Sequence, residues 1–292
     1  MKELVIISGK GGTGKTSLTA AFIKLMGRCV AADCDVDAAD LDLLLGSKNK
    51  SMSEFTGRKR PVIDEKKCTS CGKCYEVCEF DAIIKGEISY NVDNYSCEGC
   101  GACYYFCPEN AITFEPAKSG EVYISDTKNG PFVHARLIPG EENSGKLVIA
   151  VKNEAKRLAI DNNIENIIID GSPGTGCPVI ATISGSDYVV VVTEPTFSGM
   201  HDLERVLALT DRFSIKAGVI VNKSDINVRI SKEIQEKVKA SGKVILGEIP
   251  YDREFIDALQ DGKSIVEFNK DSKLSQMVQN IYNKIIRNLE EV

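Results

Sequence analysis

Eight residues near the N-terminus, GKGGTGKT (9–16), constrain the fold of this 292-residue chain more than any other stretch. They follow a short apolar run, LVIIS (4–8), and lead into an amphipathic helical pattern, KTSLTAAFIKLM (15–26). A glycine-rich turn between a strand and a helix directs backbone N–H groups toward one point, where they can bind phosphate oxygens. The stretch matches G-x-x-x-x-G-K-[ST] and therefore predicts a phosphate-binding loop in an α/β fold.

The residue types in this loop predict individual roles. Lys15 is expected to reach the β- and γ-phosphates of a nucleotide, and the hydroxyl of Thr16 is expected to bind Mg²⁺. The residues expected to surround the phosphates are Gly9, Lys10, Gly11, Gly12, Thr13, Gly14, Lys15, Thr16 and Ser17.

Apolar strand patterns recur along the rest of the chain. They are NIIID (166–170), YVVVVTEP (188–195), AGVIVNK (217–223) and KVILGEIP (243–250), and helical segments separate them. Runs rich in valine and isoleucine suit a parallel sheet that is covered by helices on both faces. We therefore expect a doubly wound, mostly parallel sheet.

Eight of the eleven cysteines form two runs with the same spacing, C-x₂-C-x₂-C-x₃-C. The first run is Cys68, Cys71, Cys74 and Cys78, and the second is Cys97, Cys100, Cys103 and Cys107. Similar segments, DAII (81–84) and NAIT (110–113), follow the two runs, which indicates an internal repeat. In a reducing compartment such cysteines are candidates for metal ligands rather than for disulfides.

This spacing is that of the bacterial two-cluster ferredoxin, in which the fourth cysteine of each run serves the other cluster. We expect two [4Fe–4S] clusters. Cluster I is assigned to Cys68, Cys71, Cys74 and Cys107, and cluster II to Cys97, Cys100, Cys103 and Cys78. Zinc is the alternative metal, but four ligands in pairs would satisfy it without an eight-cysteine repeat.

The cysteine-rich stretch interrupts the strand and helix pattern, so we expect an inserted module. The predicted P-loop ATPase domain consists of residues 1–58 and 117–292, and the predicted ferredoxin-like domain, a small α+β unit, of residues 59–116. An insertion of this kind costs little because loop-closure entropy grows slowly with length.

A second lysine in the loop, Lys10, and the motifs below make the chain similar to the deviant-Walker-A ATPases, the MinD, ParA, Mrp and nitrogenase Fe-protein class. The resemblance implies an ATPase that forms a nucleotide-dependent homodimer, in which Lys10 acts on the partner's nucleotide. AADCDVDAADLDLLLG (31–46) resembles the switch I segment of that class. The resemblance implies that Asp35 positions the attacking water and the Mg²⁺ shell. IIIDGSPGTGCP (167–178) resembles the Walker B strand and switch II, which makes Asp170 the expected partner of Mg²⁺-bound water.

The same resemblance assigns the base pocket. Asn222, in VIVNKSD (219–225), is expected to read adenine, and Pro250 to Asp252 to complete the pocket. N-K-x-D also occurs in GTPases, so GTP stays open as the alternative to ATP. Cys177, seven residues after Asp170, matches a cluster-binding cysteine of the nitrogenase Fe protein in position, and its role is left open.

Charge and hydropathy exclude several classes of function. A net charge of −6 and an isoelectric point of about 5.2 offer no basic surface for nucleic acid. No apolar run reaches the roughly 20 residues of a transmembrane helix, and the N-terminus lacks the pattern of a signal peptide. We expect a cytoplasmic protein that does not bind membranes.

Three hypotheses for function follow. The first is an ATPase whose dimer switch is coupled to electron transfer through the two clusters to an unidentified redox protein. The second is a carrier that delivers clusters to an accepting protein, as Mrp-type relatives do. The third is a regulatory or positioning ATPase that senses redox state through its clusters.

Overall fold

The computed structural model describes residues 1–141 and 145–291. It divides into two compact units, a larger one of Met1–Ser53, Val122–Arg136 and Asn143–Val292, and a smaller one of Glu54–Glu121 and Leu137–Glu142. The smaller unit is more extensive than the predicted module, 59–116. The predicted boundaries rest on a change of composition, whereas strands β3 (Lys48–Ile63) and β6 (Ile112–Thr127) continue through that change.

A nine-stranded sheet has the order β11-β10-β9-β1-β8-β2-β7-β6-β3, and a separate two-stranded sheet pairs β4 with β5. The remaining strands are β1 (Lys2–Ser8), β2 (Val30–Asp33), β4 (Ile83–Lys85), β5 (Tyr90–Val92), β7 (Gly130–Leu137), β8 (Asn166–Pro173), β9 (Tyr188–Thr193), β10 (Lys216–Asn222) and β11 (Val244–Ile249). Strands β1, β2, β8, β9, β10 and β11 are paired in parallel. The predicted α/β fold with a mostly parallel sheet is confirmed.

Helices connect these strands. They are α1 (Lys15–Met26), α2 (Leu41–Leu45), α3 (Lys73–Glu76), α4 (Ala102–Tyr105), α5 (Lys146–Asp161), α6 (Cys177–Ile183), α7 (Phe197–Arg212), α8 (Val228–Ala240), α9 (Glu254–Gln260), α10 (Ile265–Phe268) and α11 (Lys273–Glu290). None of the helices in the described part of the chain is long and apolar enough to cross a membrane.

The strand order brings polar residues together at one edge of the sheet. Central strand β1 lies between β8 and β9, and β2 pairs with β8 on the far side. In this register Asp33 lies directly beside Asp170. Because parallel strands end at the same edge, the segments after β1, β2 and β8 meet there.

The last helix, α11, packs into the core of the larger unit. Its buried side chains are Leu274, Val278, Ile281, Ile285 and Leu289. The hydroxyl of Tyr282 donates to the sulfur of Met26 at 3.4 Å, and its ring centroid lies 6.2 Å from that of Phe22. The two ends of the chain therefore build one core.

The smaller unit contains the short helices α3 and α4 and the antiparallel pair β4 and β5. Its buried core is made by Cys74, Ile83, Tyr90, Cys103 and Ile112. Gly72 (φ 80°) and Gly101 (φ 85°) precede the two helices in the left-handed region. Glycine adopts this conformation without the steric cost of a Cβ, so the glycine in each cysteine run lets the chain turn between the second and third cysteine.

Candidate functional site

The phosphate-binding loop is held in shape by close backbone approaches. Gly14 has φ 89°, and a Cβ at this position would lie 2.5 Å from the amide nitrogen of Asn222. A Cβ on Gly9 would lie 2.5 Å from the Cβ of Asp202. Helix α1 begins at Lys15, so its free N–H groups face the loop. Glycine at positions 9 and 14 is therefore required by packing as well as by any ligand.

Lys15 is the centre of a buried charge cluster. Its ammonium lies 2.8 Å from Asp170 Oδ2 and 3.3 Å from Asp35 Oδ2, and its side chain is 6% exposed. Burial acts to lower the pKa of Lys15, but Asp170, Asp35 and Asp33 together hold it above its ordinary value. The three residues predicted to serve the phosphates and Mg²⁺ from separate motifs, Lys15, Asp35 and Asp170, thus lie in contact.

Asp170 is fully buried and accepts hydrogen bonds on both oxygens. Thr16 donates its hydroxyl to Oδ2 and Thr19 donates to Oδ1, each at 2.7 Å. Thr19 was not among the predicted site residues, although its position one helical turn after Lys15 places it on the same face of α1. Carboxylate and hydroxyl oxygens are the ligands that Mg²⁺ prefers, so Thr16 and Asp170 fit this ion.

Asp33 organises the segment that resembles switch I. Its Oδ1 accepts from the backbone N–H of Asp35 at 3.0 Å and its Oδ2 from that of Leu41 at 3.2 Å. Burial and the neighbouring Asp170 raise its pKa well above the ordinary value. Burial also raises the pKa of Asp35, although Lys15 opposes the shift. The carboxyl groups of Asp33, Asp35 and Asp170 thus lie near a single ammonium, that of Lys15. Their remaining negative charge favours binding of a further cation.

Lys10 lies in a different set of contacts from Lys15. Its ammonium is 2.5 Å from Glu194 Oε1 and donates to the hydroxyls of Thr196 and Ser198, at 3.1 and 3.3 Å. All of these residues belong to the same chain. The role of Lys10 across a dimer stays a prediction.

The predicted base-pocket residues fall in two groups. Asn222 Nδ2 donates to the carbonyl oxygen of Thr13 at 2.7 Å, and its Oδ1 accepts from the backbone N–H of Lys223 at 3.0 Å. Asn222 therefore stabilises the phosphate loop, and reading of the base by its amide stays a prediction.

Pro250 and Asp252 follow β11, which pairs with β10. Asp252 Oδ1 accepts from the backbone N–H of Glu254 at 2.9 Å, at the start of α9. Asp225 Oδ1 accepts from the backbone N–H of Tyr251 at 2.6 Å, which links the N-K-x-D segment to this stretch. The two predicted halves of the pocket are thus connected, while their contact with a base stays untested.

The eight repeated cysteines line two cavities of the smaller unit, each of about 320 Å³ including space open to solvent. The cysteines of the first cavity are Cys68, Cys71, Cys74 and Cys107. Those of the second are Cys78, Cys97, Cys100 and Cys103. Each cavity combines three cysteines of one run with the fourth cysteine of the other, which is the grouping expected for two clusters.

The donor set of each cavity suits a sulfur-bound cluster. Burial raises the pKa of Cys74, and it raises that of Cys103 to about 11, so both side chains are thiols at neutral pH and binding of a metal would release their protons. Within residues 1–141 and 145–291, no group of three or more His, Cys, Asp or Glu side chains is arranged to hold a single metal ion. Ligation of a larger cluster by these cysteines stays a prediction.

The other three cysteines lie outside both cavities. Cys29 and Cys34 are buried in the larger unit, as small apolar residues commonly are. Cys177 is exposed at the first position of α6.

Comparison with known proteins supports the nucleotide-binding fold. The profile described as "CobQ/CobB/MinD/ParA nucleotide binding domain" matches residues 4–265. An uncharacterized protein of Methanocaldococcus jannaschii is 34% identical over 287 residues, covering 97% of this chain and 96% of the relative. The septum site-determining protein MinD of Thermotoga maritima is 23% identical over 294 residues, covering 97% of this chain and 87% of the relative.

Solved structures agree in fold. MinD of Pyrococcus horikoshii, solved in complex with Mg-ADP, matches with a TM-score of 0.57 and 18% identity, covering 97% of this chain and 95% of that one. MinD of Aquifex aeolicus, in a complex with MinC, matches with a TM-score of 0.58 and 20% identity, covering 98% and 96%. Together with the phosphate loop and the charge cluster at its helix, these matches show that the chain belongs to the CobQ/CobB/MinD/ParA family of nucleotide-binding proteins and is a P-loop ATPase of the MinD/ParA type.

Proposed function

We propose that this ATPase carries two [4Fe–4S] clusters and couples a nucleotide-dependent dimer switch to electron transfer through them. The observation that carries the proposal is the grouping of the cysteines in the two cavities. Exchange of the fourth cysteine between two runs is a property of two-cluster ferredoxins, and a single-metal clip does not need it.

The charge cluster at the edge of the sheet supports ATP hydrolysis. The backbone N–H groups of residues 9–16 bind phosphate oxygens, and Lys15 exchanges its carboxylate partners for the β- and γ-phosphates. Thr16 and Asp170 would hold Mg²⁺, and the ion would supply positive charge to the phosphates. Asp35, which is 3.3 Å from Lys15, orients the attacking water. Lys10 supplies a cation to the nucleotide of the second copy.

Among purine nucleotides, ATP is the expected substrate. The N-K-x-D segment alone fits a GTPase equally well, but the matched family motifs are of the MinD type. A competition experiment with ATP and GTP on the purified protein tests this choice directly.

In the smaller unit, Cys68, Cys71, Cys74 and Cys107 would hold one cluster and Cys97, Cys100, Cys103 and Cys78 the other. When bound, each cluster supplies one-electron chemistry. Coupling free energies between sites are typically about 1–3 kcal/mol. For a one-electron step this corresponds to a shift in reduction potential of roughly 45–130 mV. A shift of this size is large enough to make electron transfer favourable in one direction.

The decisive experiment measures iron content and the reduction potentials of the clusters, with and without ATP, in anaerobically purified protein. We expect roughly eight irons per chain and potentials that shift when ATP is added. The Lys15→Ala variant is the matched control, because it should keep the iron and lose the ATP-dependent shift.

Each alternative outcome has its own signature. An iron content far below eight irons per chain would overturn the two-cluster assignment. Reduction potentials that do not change when ATP is added would overturn the coupling. Transfer of iron and sulfide to an apo-acceptor would instead support a cluster carrier. An ATPase rate that follows the redox state, with ATP-independent potentials, would support a redox-sensing ATPase.

A further inference from the structure

The ammonium of Lys10 is fully engaged within its own chain. A lysine ammonium has three N–H donors, and the carboxylate of Glu194 and the hydroxyls of Thr196 and Ser198 provide three oxygen partners. The Lys10 side chain is 29% exposed and that of Glu194 is 16% exposed. The contact is therefore partly shielded from water, and it directs Lys10 toward the segment between β9 and α7.

Glu194 also binds a second lysine, Lys223, which follows β10 and contacts the phosphate loop. Its Oε2 lies 3.0 Å from Lys223 Nζ, which donates to the carbonyl oxygen of Gly12 at 2.9 Å. Burial acts to raise the pKa of Glu194, but Lys10 and Lys223 hold it below its ordinary value. One carboxylate thus holds two lysines that flank the loop, and it stays charged at neutral pH.

The segment that carries Glu194 is fixed in position. Thr196 caps helix α7 by accepting from the backbone N–H of Gly199 at 2.9 Å. A Cβ on Gly199 would lie 2.5 Å from the carbonyl oxygen of Glu194, so the turn is closely packed. A carboxylate on such a turn can hold Lys10 in a defined place, since the start of a 16-residue helix supports it.

We propose that Glu194 is a positioning residue that retains Lys10 in its own chain and competes with nucleotide phosphate for the ammonium. The inference rests on the proposed function, in which Lys10 serves the nucleotide of a second copy. Lys10 must leave Glu194 before it can reach that phosphate. Glu194 therefore stabilises the separated state and raises the protein concentration at which ATP brings two copies together.

The contact itself is tested on the nucleotide-free protein by the rate at which an amine-reactive ester labels Lys10, read by peptide mass spectrometry. Glu194→Gln keeps the shape of the side chain and removes its charge, and we expect it to speed labelling of Lys10 by about fivefold. Glu204→Gln is the matched control, because Glu204 lies on α7, the helix that follows Glu194 in the chain, and pairs with Lys237, away from the loop. Equal labelling rates in the two variants would overturn the inference.

The consequence is tested by measuring ATPase rate per chain as a function of protein concentration. Glu194→Gln should lower the concentration for half-maximal rate by about threefold, with kcat at saturating protein unchanged. In a Lys10→Ala background, which lacks the cation for hydrolysis, the same substitution should leave ATP-dependent dimerisation, measured by sedimentation, unchanged. A half-saturating concentration that stays the same or rises, or an effect that persists without Lys10, would contradict the proposal.

The two measurements separate this inference from the function on which it rests. If the wild-type ATPase rate per chain does not depend on protein concentration, the dimer switch fails and the regulatory role of Glu194 fails with it. If the rate does depend on concentration but Glu194→Gln leaves the labelling of Lys10 unchanged, the dimer switch stands and only the role of Glu194 is wrong. Cluster absorbance and thermal unfolding confirm that each variant is folded.

Discussion

The two units place their candidate functional groups in opposite ways. In the larger unit, Lys15, Asp35 and Asp170 come from three separate motifs, and their opposite charges bind one another. In the smaller unit the cysteines come from two local repeats and line cavities as groups of like side chains. Removing a member of the charge cluster leaves the charges of its partners unneutralised. The substitution should therefore lower the unfolding free energy as well as the activity. Removing a cysteine other than Cys74 and Cys103, which belong to the buried core, should affect a bound cluster far more than the surrounding fold.

The largest expected effect is that of Lys15→Ala. The substitution leaves two buried carboxylates, Asp170 and Asp35, without their ammonium, and breaking a buried pair costs about 3–5 kcal/mol. Urea unfolding of the nucleotide-free protein should show this loss, together with no measurable ATPase activity. Lys50→Ala is the control, because Lys50 pairs with Asp126 at the exposed surface and should change the unfolding free energy by less than about 1 kcal/mol. Equal stability of the two variants would show that the charge cluster does not support the fold.

Removal of cysteines should act on iron content in a pattern that reveals the grouping. Cys78→Ala alone should reduce iron from roughly eight to roughly four per chain. Adding Cys97→Ala should cause little further loss, because both residues line the same cavity, whereas adding Cys68→Ala should remove nearly all of the iron.

The opposite pattern of double variants would mean that each run binds its own cluster. Cys177→Ala is the matched control, since Cys177 is exposed in the larger unit and should keep the full iron content. Iron analysis measures the iron content of each variant. Electron paramagnetic resonance of the reduced protein shows which clusters remain.

A smaller effect is expected at Thr19. Thr19→Val keeps the shape of the side chain but removes the donor to Asp170 Oδ1, which leaves a buried acceptor unsatisfied. We expect a loss of about 1–3 kcal/mol in unfolding free energy and a lower ATPase rate. Thr19→Ser retains the hydroxyl and should behave almost as the wild type, so a serine variant as impaired as the valine variant would point to packing instead.

The smallest expected effect is a pH dependence at Asp33. A carboxyl group with a raised pKa in the folded state stabilises the fold fully below its unfolded pKa of about 3.9. That contribution is lost as the pH rises through the raised, folded-state pKa. Because an asparagine side chain does not titrate, the unfolding free energy of the wild type relative to Asp33→Asn should fall as the pH rises from about 4.5 to 8. Urea titrations at several pH values measure this, and a constant difference would contradict it.

The sequence allowed the fold and much of the candidate site to be predicted, because motif residues keep fixed positions at the ends of strands. The phosphate loop, Asp35 and Asp170 follow apolar runs that can be recognised without coordinates. The contacts of Thr19 and Glu194 could not be predicted, since each depends on which strands are neighbours in the sheet. The partner of Asn222 also depends on this order, because β10 must lie near the loop for its amide to reach Thr13.

The predicted limits of the inserted module differ from those of the compact unit for a related reason. A change of amino-acid composition marks where the cysteines begin, but backbone pairing along β3 and β6 does not depend on side-chain type. Strands of 16 residues therefore pass through the predicted boundaries at 58 and 116.

The contact between Tyr282 and Met26 has a consequence for synthesis on the ribosome. The core of the larger unit needs both ends of the chain, whereas the smaller unit ends long before α11 is made. At about 5–20 residues per second, the roughly 130 residues between them take about 6–26 s to translate. During this interval the cysteine repeats have left the ribosome while the nucleotide-binding core is still incomplete. If the repeats bind clusters as proposed, loading of the nascent chain can therefore precede nucleotide binding.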